Sequence, residues 1–364
     1  MNKAPLIFVC VAVSLPATAQ YKVEVLHGPG FPFPRSFGWG AGDGQQVGST
    51  SLFGTGHALL WSGSAESFVD LHPAGWDAST ALGASGGKQI GWRARHGTDA
   101  RAFATMWSGS AESWVDLHTA KYLQTYALGI GGDMQVGTGF YKLVENHYHA
   151  LLWSGTPESA VSLNPEGAEK SLAYATDGKQ QVGIAGGLGD RRAALWSGTA
   201  ESYVNLHPKG YIISEAYGAG EGIQAGYASS GNAHAVLWRG SAQSVVDLNP
   251  GPNEDWGSRA FATNGEIQVG LASNNGPTLA ALWGGTPESY LNLHQFLPEQ
   301  FQGSGESSEA RGIDSAGNIV GWAADTTTGR AKAVLWVPVP EPSSWLAIGL
   351  GLAIWIAGKG KQLK

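Results

Sequence analysis

The stretch HALLWSGSAESFVDLH, residues 57–72, decides the fold because versions of it recur along the chain. An apolar strand ends at Trp61, a connector of small and polar residues follows, and in the next short strand Val69 and Leu71 share one face. This pattern predicts a hairpin. The tryptophan that ends its first strand recurs seven times, roughly every 40 to 50 residues, at Trp61, Trp107, Trp153, Trp196, Trp238, Trp283 and Trp336.

Two further motifs recur with the same period. A Gln-Val-Gly motif, or a close variant, places glycine at Gly48, Gly91, Gly137, Gly183, Gly226, Gly270 and Gly321. A Leu-His or Leu-Asn pair ends at His27, His72, His118, Asn164, His207, Asn249 and His294. Tight-turn dipeptides such as Asp43-Gly44 and Asp177-Gly178 precede the Gln-Val-Gly strand and follow a short Ala-rich strand. Each unit therefore has four strands.

Four antiparallel strands at this period predict a β-propeller, in which stacked blades cover both faces of each sheet. The alternative, a linear solenoid, needs atypical capping units at both ends. The chain instead opens with a lone fourth strand, residues 22–27, and its last unit stops after a third strand, residues 333–336. We therefore expect an all-β, seven-bladed β-propeller of four-stranded antiparallel blades over residues 20–337. An N-terminal latch strand would close it, and a C-terminal hydrophobic helix would follow.

Composition excludes several classes of protein. The 43% apolar content is enough to bury a core, which argues against disorder. A net charge of −7 leaves no basic surface for nucleic acid. Without Lys3 and the three C-terminal lysines the balance is about −11, which disfavours anionic polymers and anionic lipid headgroups unless a cation bridges. Cys10 is the one cysteine, so a mature chain that lacks it has no thiolate metal site.

Residues 1–19 have the features of a signal peptide. Lys3 precedes an apolar run, and Ala17 and Ala19 form a small-x-small cleavage site. We expect cleavage after Ala19. The alternative is a buried N-terminal strand.

Residues 338–364 combine three features in a fixed order. Pro340, Glu341 and Pro342 are followed by Ser343-Ser344, by the uncharged run 345–357, and by Lys359, Lys361 and Lys364. The run is shorter than the roughly 20 residues of a spanning helix, so its length does not by itself establish a permanent anchor. We expect this helix to contact the membrane at least transiently. An ordinary tail anchor is the alternative.

The C-terminal order resembles the PEP-CTERM sorting signal of Gram-negative bacteria, although the tail is rich in lysine where arginine is usual. The resemblance implies an exosortase as partner and a link to exopolysaccharide or biofilm systems. It also implies a location in the periplasm, on the outer surface or in the extracellular matrix, with a transient or stable inner-membrane anchor. Units such as 149–153 and 234–238 resemble the extracellular HAF repeats, which imply no activity.

Few repeated columns have the features of a chemical site. Five histidines at equivalent outer positions lie too far apart to share a metal ion, so we expect them to be structural. The Trp column is expected in the core. Tryptophans outside this column are not required by the repeated packing, so they are better candidates for binding a ligand. The alternative is that they pack on strand faces. They are Trp39, Trp76, Trp92, Trp114, Trp256 and Trp322.

Acidic columns also give no catalytic pair. The connector glutamates are expected to be solvated or to bind turn amides: Glu66, Glu112, Glu158, Glu201 and Glu288. Asp70, Asp116 and Asp247 are replaced by Asn205 and Asn292 in sister units, so a shared acid or base role is excluded. The irregular insert 294–309 is the place where a function would escape the repeat, or else a lengthened loop. We assign no catalytic, metal or cofactor-binding residue and expect no cofactor.

Two functions remain. The first is an exported binding or structural propeller whose rim or channel holds a partner, plausibly a polysaccharide. The second is a polysaccharide lyase or hydrolase with non-repeated polar residues converging at the channel mouth. The fold alone supplies no chemistry, and we expect a non-enzyme.

Overall fold

The computed structural model describes residues 20–51, 56–96, 101–141, 147–187, 189–251, 256–303 and 305–340. Within these ranges the chain forms seven four-stranded antiparallel sheets. Helical structure there is limited to 3₁₀ turns of three or four residues. The prediction of an all-β propeller with seven four-stranded antiparallel blades is confirmed.

The strands follow one another in blade order along the chain. The first strand is β1 (Gln20–Val25). Blades 1 to 3 contain β2 (Phe37–Gly42), β3 (Gln45–Ser49), β4 (Ala58–Trp61), β5 (Val69–Asp70); β6 (Ala78–Ser85), β7 (Lys88–Arg95), β8 (Arg101–Trp107), β9 (Val115–Asp116); and β10 (Gln124–Gly131), β11 (Met134–Phe140), β12 (Tyr148–Trp153), β13 (Val161–Ser162).

Blades 4 to 7 repeat this plan. They contain β14 (Lys170–Thr176), β15 (Gln181–Gly186), β16 (Arg192–Trp196), β17 (Val204–Asn205); β18 (Ile213–Gly220), β19 (Ile223–Ser229), β20 (Ala233–Trp238), β21 (Val246–Asp247); β22 (Trp256–Thr263), β23 (Gln268–Asn274), β24 (Leu279–Trp283), β25 (Leu291–Asn292); and β26 (Ser308–Ile313), β27 (Ile319–Asp325), β28 (Arg330–Val339). The 3₁₀ turns are Ala65–Ser67, Ala111–Ser113, Pro157–Ser159, Ala200–Ser202, Ala242–Ser244, Pro287–Ser289, Leu293–Phe296 and Glu299–Phe301.

The first strands of the blades form a closed ring around a central channel. Each of β2, β6, β10, β14, β18 and β22 contacts the first strand of the next blade, and β26 contacts β2. The ring is therefore continuous through blades 7 and 1.

The seventh blade combines the two ends of the described chain. Its strand order is β26, β27, β28 and β1, and β1 pairs antiparallel with β28 so that Val23 lies opposite Trp336. The Leu26 amide donates to the Ala333 carbonyl at 2.9 Å, as the Leu71 amide donates to Ala58 in blade 1. The segment that opens the described chain thus occupies the fourth place of the last blade.

The core lies between blades rather than inside any one of them. One cluster joins Val136, Leu152 and Leu163 of blade 3 to Ala173 and Trp196 of blade 4. All seven tryptophans of the repeated column are fully buried in such interfaces. The first strands, which lie nearest the axis, carry alanine or glycine at these interfaces. Neighbouring blades converge towards the axis and leave little room there for larger side chains.

The Gln-Val-Gly motif follows from the same geometry. A Cβ atom at Gly91 would lie 1.9 Å from the Thr80 carbonyl oxygen, so only glycine lets the first two strands approach. The glutamine before it accepts a hydrogen bond from the connector between the third and fourth strands: Gln89 Oε1, for example, accepts from the Gly109 amide at 2.8 Å.

Candidate functional site

Every first strand carries a β-bulge at the same register. In each blade the pairing with the second strand shifts by one residue, for example between Ala216 and Gly218 in β18. A bulge leaves one extra residue unpaired and re-aims its side chain. The seven bulged residues are Trp39, Leu82, Leu128, Tyr174, Tyr217, Phe261 and Arg311.

These seven side chains line the central channel. They are all half-exposed, whereas the residue before each in sequence is a buried alanine or glycine. Together with their strand neighbours they surround a cavity of about 470 Å³. That volume lies within the range of ligand pockets, about 300 to 1,000 Å³.

The residues of the bulge column differ from blade to blade. The columns on either side keep alanine or glycine, but the bulge carries two tyrosines, two leucines, a tryptophan, a phenylalanine and one arginine. Sequence reasoning singled out only Trp39 among them. The signal it missed is the residue after the conserved alanine of each Ala-rich strand, which varies while its neighbours do not.

A buried carboxylate lies beside the channel in blade 5. Glu215 is 2% exposed and accepts four hydrogen bonds. Arg191 Nη1 and the Tyr227 hydroxyl donate to Oε1 at 2.7 and 2.9 Å, and the hydroxyls of Tyr174 and Tyr217 donate to Oε2 at 3.1 and 2.9 Å. Four donors fill the four lone-pair positions of a carboxylate.

The tyrosines around Glu215 are held in the protonated, donating form. Burial first, then the negative charge of Glu215 and the hydrogen bond to it, raises the pKa of Tyr227 to about 12. The same causes raise the pKa of Tyr217, and burial with the charge of Glu215 raises that of Tyr174. The Glu215 cluster is therefore a fixed part of the channel wall.

Blade 7 carries a second acidic group at the equivalent register. Glu309 Oε2 accepts from Arg311 Nε at 2.6 Å, from Arg311 Nη2, and from Trp322 Nε1 at 3.2 Å. Its other oxygen, Oε1, has no donor among the described residues. The Arg311 guanidinium also stacks 4.0 Å from the Phe261 ring and 5.3 Å from the Trp39 ring. Glu309 and Arg311 both line the cavity.

The His/Asn column is an inter-blade hydrogen-bond relay. His207 Nδ1 lies 2.8 Å from the Ser214 hydroxyl of the next blade, and that oxygen accepts from the Ala193 amide at 2.9 Å. The hydroxyl proton therefore goes to Nδ1, and Nε2–H donates to the Tyr211 carbonyl at 3.0 Å. Asn164 and Asn249 accept from Ser171 and Ser258 in the same way, both at 2.7 Å.

The column of Asp70 and its equivalents supports that relay. The side chains of Asp70, Asn205 and Ser162 each accept from the backbone amide two residues later. Aspartate, asparagine and serine are interchangeable here because only an acceptor is needed. Of the connector glutamates, Glu66 and Glu201 are exposed, and hydrogen bonds to their own backbone amides lower their pKa.

The singular tryptophans divide into channel and rim positions. Trp39 lines the cavity and Trp322 binds Glu309 beside it. Trp76 and Trp114 lie on either side of the Arg93 guanidinium, 4.2 Å from each ring centroid, on the outer part of blade 2. Trp92 packs on Tyr126 and Trp256 on Tyr290.

The described part of the insert 294–309 has a packing role. Leu297 and Phe301 are buried in one cluster with Tyr21 of β1, and the Phe296 ring packs at a tilt against the Tyr21 ring, with the centroids 5.9 Å apart. Gln302 Nε2 donates to the carbonyls of His294 and Leu297. The part of the insert before β26 therefore fills the space between blade 6 and β1, and of the described insert residues only Glu309, on β26, lines the cavity.

The sorting and cleavage residues fall at the limits of the structure. Ala17, Ala19, Glu341 and Pro342 lie outside the described residues, and Pro340 is the last residue described. The described ranges contain no helix that is long and apolar enough to cross a membrane. No group of three or more potential metal ligands occurs in that part of the chain.

Comparison with known proteins gives the fold class and no closer relationship. No family model matches the chain, and no curated protein matches it. Among solved structures it is similar to a puromycin hydrolase, with 12% identity and a TM-score of 0.53 over 82% of this chain and 53% of that chain. It therefore spans about half the length of that hydrolase.

Two other solved structures give the same result. The β-propeller domain of the Trilobed protease from Pyrococcus furiosus is 10% identical, with a TM-score of 0.52 over 84% of this chain and 94% of that chain. A prolyl endopeptidase structure is also 10% identical, with a TM-score of 0.53 over 87% and 51%. At these identities the likeness shows a propeller fold of the kind found in peptidase propeller domains.

Proposed function

We propose that this protein is an exported binding propeller that holds a glycan in its central channel. The observation that carries the proposal is the bulge column: seven equivalent positions aim side chains into one cavity, and the residues there differ from blade to blade. Rings such as Trp39, Tyr217 and Phe261 offer apolar faces to a sugar, and the Glu309 Oε1 atom can accept from its hydroxyls. A scaffold that keeps its packing columns and varies its channel column is suited to selective binding.

Glu309 is the one observation that favours an enzyme. It lines the cavity with an open oxygen, so a polysaccharide lyase or hydrolase remains the alternative. Glycoside hydrolysis needs two available carboxylates. Glu215 is saturated by four donors, and among the described residues that line the cavity Glu309 is then the one available carboxylate. Glu309 is itself paired with Arg311, which supports binding over cleavage.

The proposed address rests on the two ends of the sequence. A signal peptide cleaved after Ala19 would export the chain, and the Pro340-Glu341-Pro342 segment would deliver it to an exosortase. The basic tail and short hydrophobic helix would hold it at the inner membrane before release or retention. The final location would be the periplasm, the outer surface or the biofilm matrix of a Gram-negative bacterium, beside exopolysaccharide.

The role of β1 as a latch belongs to the same proposal. The pairing of β1 with β28 supports it, because a run of backbone pairs joins the segment that opens the described chain to its last blade.

Calorimetric titration of the full mature protein with neutral and acidic oligosaccharides tests the binding function. Trp39→Ala and Tyr217→Ala should each weaken binding at least tenfold, because both remove channel surface. The matched control is Trp114→Ala, which removes an exposed aromatic ring at the rim. Equal binding by the channel and rim variants would overturn the channel site, and turnover lost in Glu309→Gln would establish the enzyme.

Processing is tested separately by mass spectrometry of the protein from cells with and without the exosortase. Cleavage near the Pro340-Glu341-Pro342 segment only when the enzyme is present would support the sorting proposal. An intact C-terminus in both strains would refute it.

A further inference from the structure

We propose that the channel selects ligands that carry a carboxylate, which Arg259 and Arg311 would bind. This rests on the proposed glycan-binding function and names the chemistry of the glycan. Both arginines line the cavity, one on β22 and the other at the bulge of β26. They belong to blades 6 and 7, whose first strands are neighbours in the ring.

Arg259 is a cation without an acidic partner among the described residues. It is exposed to the channel, and its guanidinium lies 4.9 Å from the Tyr227 ring centroid. The five N–H donors of a guanidinium match a carboxylate in planar, bidentate geometry. No other unpaired basic side chain of the described chain lines this cavity.

Arg311 adds donors that its ion pair leaves open. Its Nε and one Nη2 hydrogen are engaged by Glu309 Oε2, so three N–H groups remain for a ligand. Stacking against Phe261 and Trp39 fixes the plane of the guanidinium. Because a preoriented arginine loses little side-chain freedom on binding, its remaining donors are well placed for a second bond.

The local charge balance differs from that of the whole chain. The charge of Glu309 is matched by Arg311 and that of Glu215 by Arg191, which leaves Arg259 unmatched. Aspartates such as Asp70 and Asp116 lie on the outermost strands. Asp43, Asp133 and Asp177 lie in the turns that follow the first strands, and none of the three lines the cavity. Exposed charges farther apart than about 8 Å are largely screened at physiological salt. The net negative charge therefore does not decide which sign the channel prefers.

The rest of the cavity suits a ring that carries the carboxylate. Phe261 lies two residues after Arg259 on β22, and its ring lies 4.0 Å from the Arg311 guanidinium and 5.7 Å from the Tyr217 ring. Trp39 lies on the next blade, 5.3 Å from the Arg311 guanidinium. A ring on these faces would place a carboxylate towards the guanidinium groups and hydroxyls towards Glu309. The shared chemistry is that of a uronic acid residue or a small carbocyclic acid.

Three probes distinguish these sources in calorimetric titration of the full mature protein. They are an oligoglucuronate, the same oligosaccharide with its carboxyl groups reduced to hydroxymethyl, and benzoate. We expect the oligoglucuronate to bind at least tenfold more tightly than its reduced form. Arg259→Gln should reduce the ratio of the two affinities to less than twofold. The control Arg239→Gln, an exposed arginine outside the channel, should retain the preference.

Each outcome decides between the two proposals. Equal binding of the acidic and reduced oligosaccharides would overturn the carboxylate preference and leave glycan binding intact. Binding of benzoate without either oligosaccharide would support the carboxylate preference and overturn the glycan. Binding of none of the three probes would overturn both proposals. A preference for the acidic form that Arg259→Gln leaves unchanged would overturn only the assignment of the carboxylate site to Arg259.

Discussion

Single hydroxyl groups hold neighbouring blades together in this propeller. Each serine or threonine at the start of a first strand accepts from a third-strand amide of the preceding blade and donates to a histidine or asparagine there. The hydroxyl oxygen gives the buried third-strand amide a hydrogen-bond acceptor, which a side chain without a polar atom could not provide. It needs an acceptor of the right reach, and imidazole Nδ1 and amide oxygen both provide one.

Two substitutions in the relay test whether the hydrogen-bonding groups matter more than the residue type that carries them. Ser214→Ala removes both the donor to His207 and the acceptor for the Ala193 amide, and we expect a loss of about 1 to 3 kcal/mol in unfolding free energy. His207→Asn keeps an acceptor and should cost under about 1 kcal/mol. Chemical denaturation of both variants measures the difference. Equal losses would mean that the relay contributes no more than ordinary packing.

The relay histidines should also make stability depend on pH. Burial first, and Lys332 second, lower the pKa of His27 to about 4, against the opposing effect of Asp325. Burial likewise lowers the pKa of His72, His207 and His294. The unfolded chain therefore binds protons below about pH 6.5 while the folded chain does not, so stability is intact above that pH and falls as the pH drops towards 4.

Denaturation midpoints at pH 7 and pH 5 measure this effect. His27→Asn keeps the acceptor but cannot titrate, so its midpoint should fall less between the two pH values than that of the unmodified protein. The same pH dependence in both proteins would contradict the assignment to His27.

At the scale of elements, the second strand of a blade binds the connector that leads from the third strand to the fourth. Six glutamines accept from a connector glycine amide, as Gln224 does from Gly240 at 2.8 Å. Blade 7 has Ile319 at this register, and its fourth strand, β1, arrives from the other end of the chain without a connector. The exception in the motif thus follows from how the ring is joined.

Leu26 tests the contribution of the strand segment that completes blade 7. It is fully buried against Val320, Leu335 and Trp61. Leu26→Ala should reduce the unfolding free energy by about 2 to 5 kcal/mol, the usual cost of truncating a buried leucine. Lys22→Ala, on the exposed side of β1, is the matched control and should change it by no more than about 0.5 kcal/mol. Thermal and chemical denaturation measure both.

Deletion of residues 20–27 removes the whole strand and exposes the edge of β28. We expect a lower melting temperature and self-association through that edge. An unchanged melting temperature would contradict the latch role, and it would leave the Leu26 result as a local packing effect.

At the scale of the whole molecule, closure makes every blade the neighbour of two others. No blade is terminal, so unfolding cannot begin at a free end as it does in a linear repeat array. We expect a single transition with coincident midpoints by far-UV circular dichroism and tryptophan fluorescence. Two separated transitions would indicate that the blades open one by one.

The positions of the fold's parts could be predicted from the sequence because they repeat. Each blade needs the same residue types at the same packing positions. The sequence therefore shows seven copies of the Trp61 column, of the Gln-Val-Gly glycines and of the His/Asn column. The channel site could not be predicted in this way. Tyr217 and Arg311 each lie three residues after a relay serine, but only the bulged strand pairing shows that side chains at this position enter the channel. Arg191 reaches Glu215 from a different blade.

The sequence by itself determined the number of blades, the four strands in each and the complementary fragments at the two ends, because periodic packing leaves a periodic pattern. Only the tertiary structure decided which residues meet at the axis. Seven strands converge there from positions far apart in the chain, and a side chain's neighbours across that cavity are set by the closing of the ring and not by distance along the sequence.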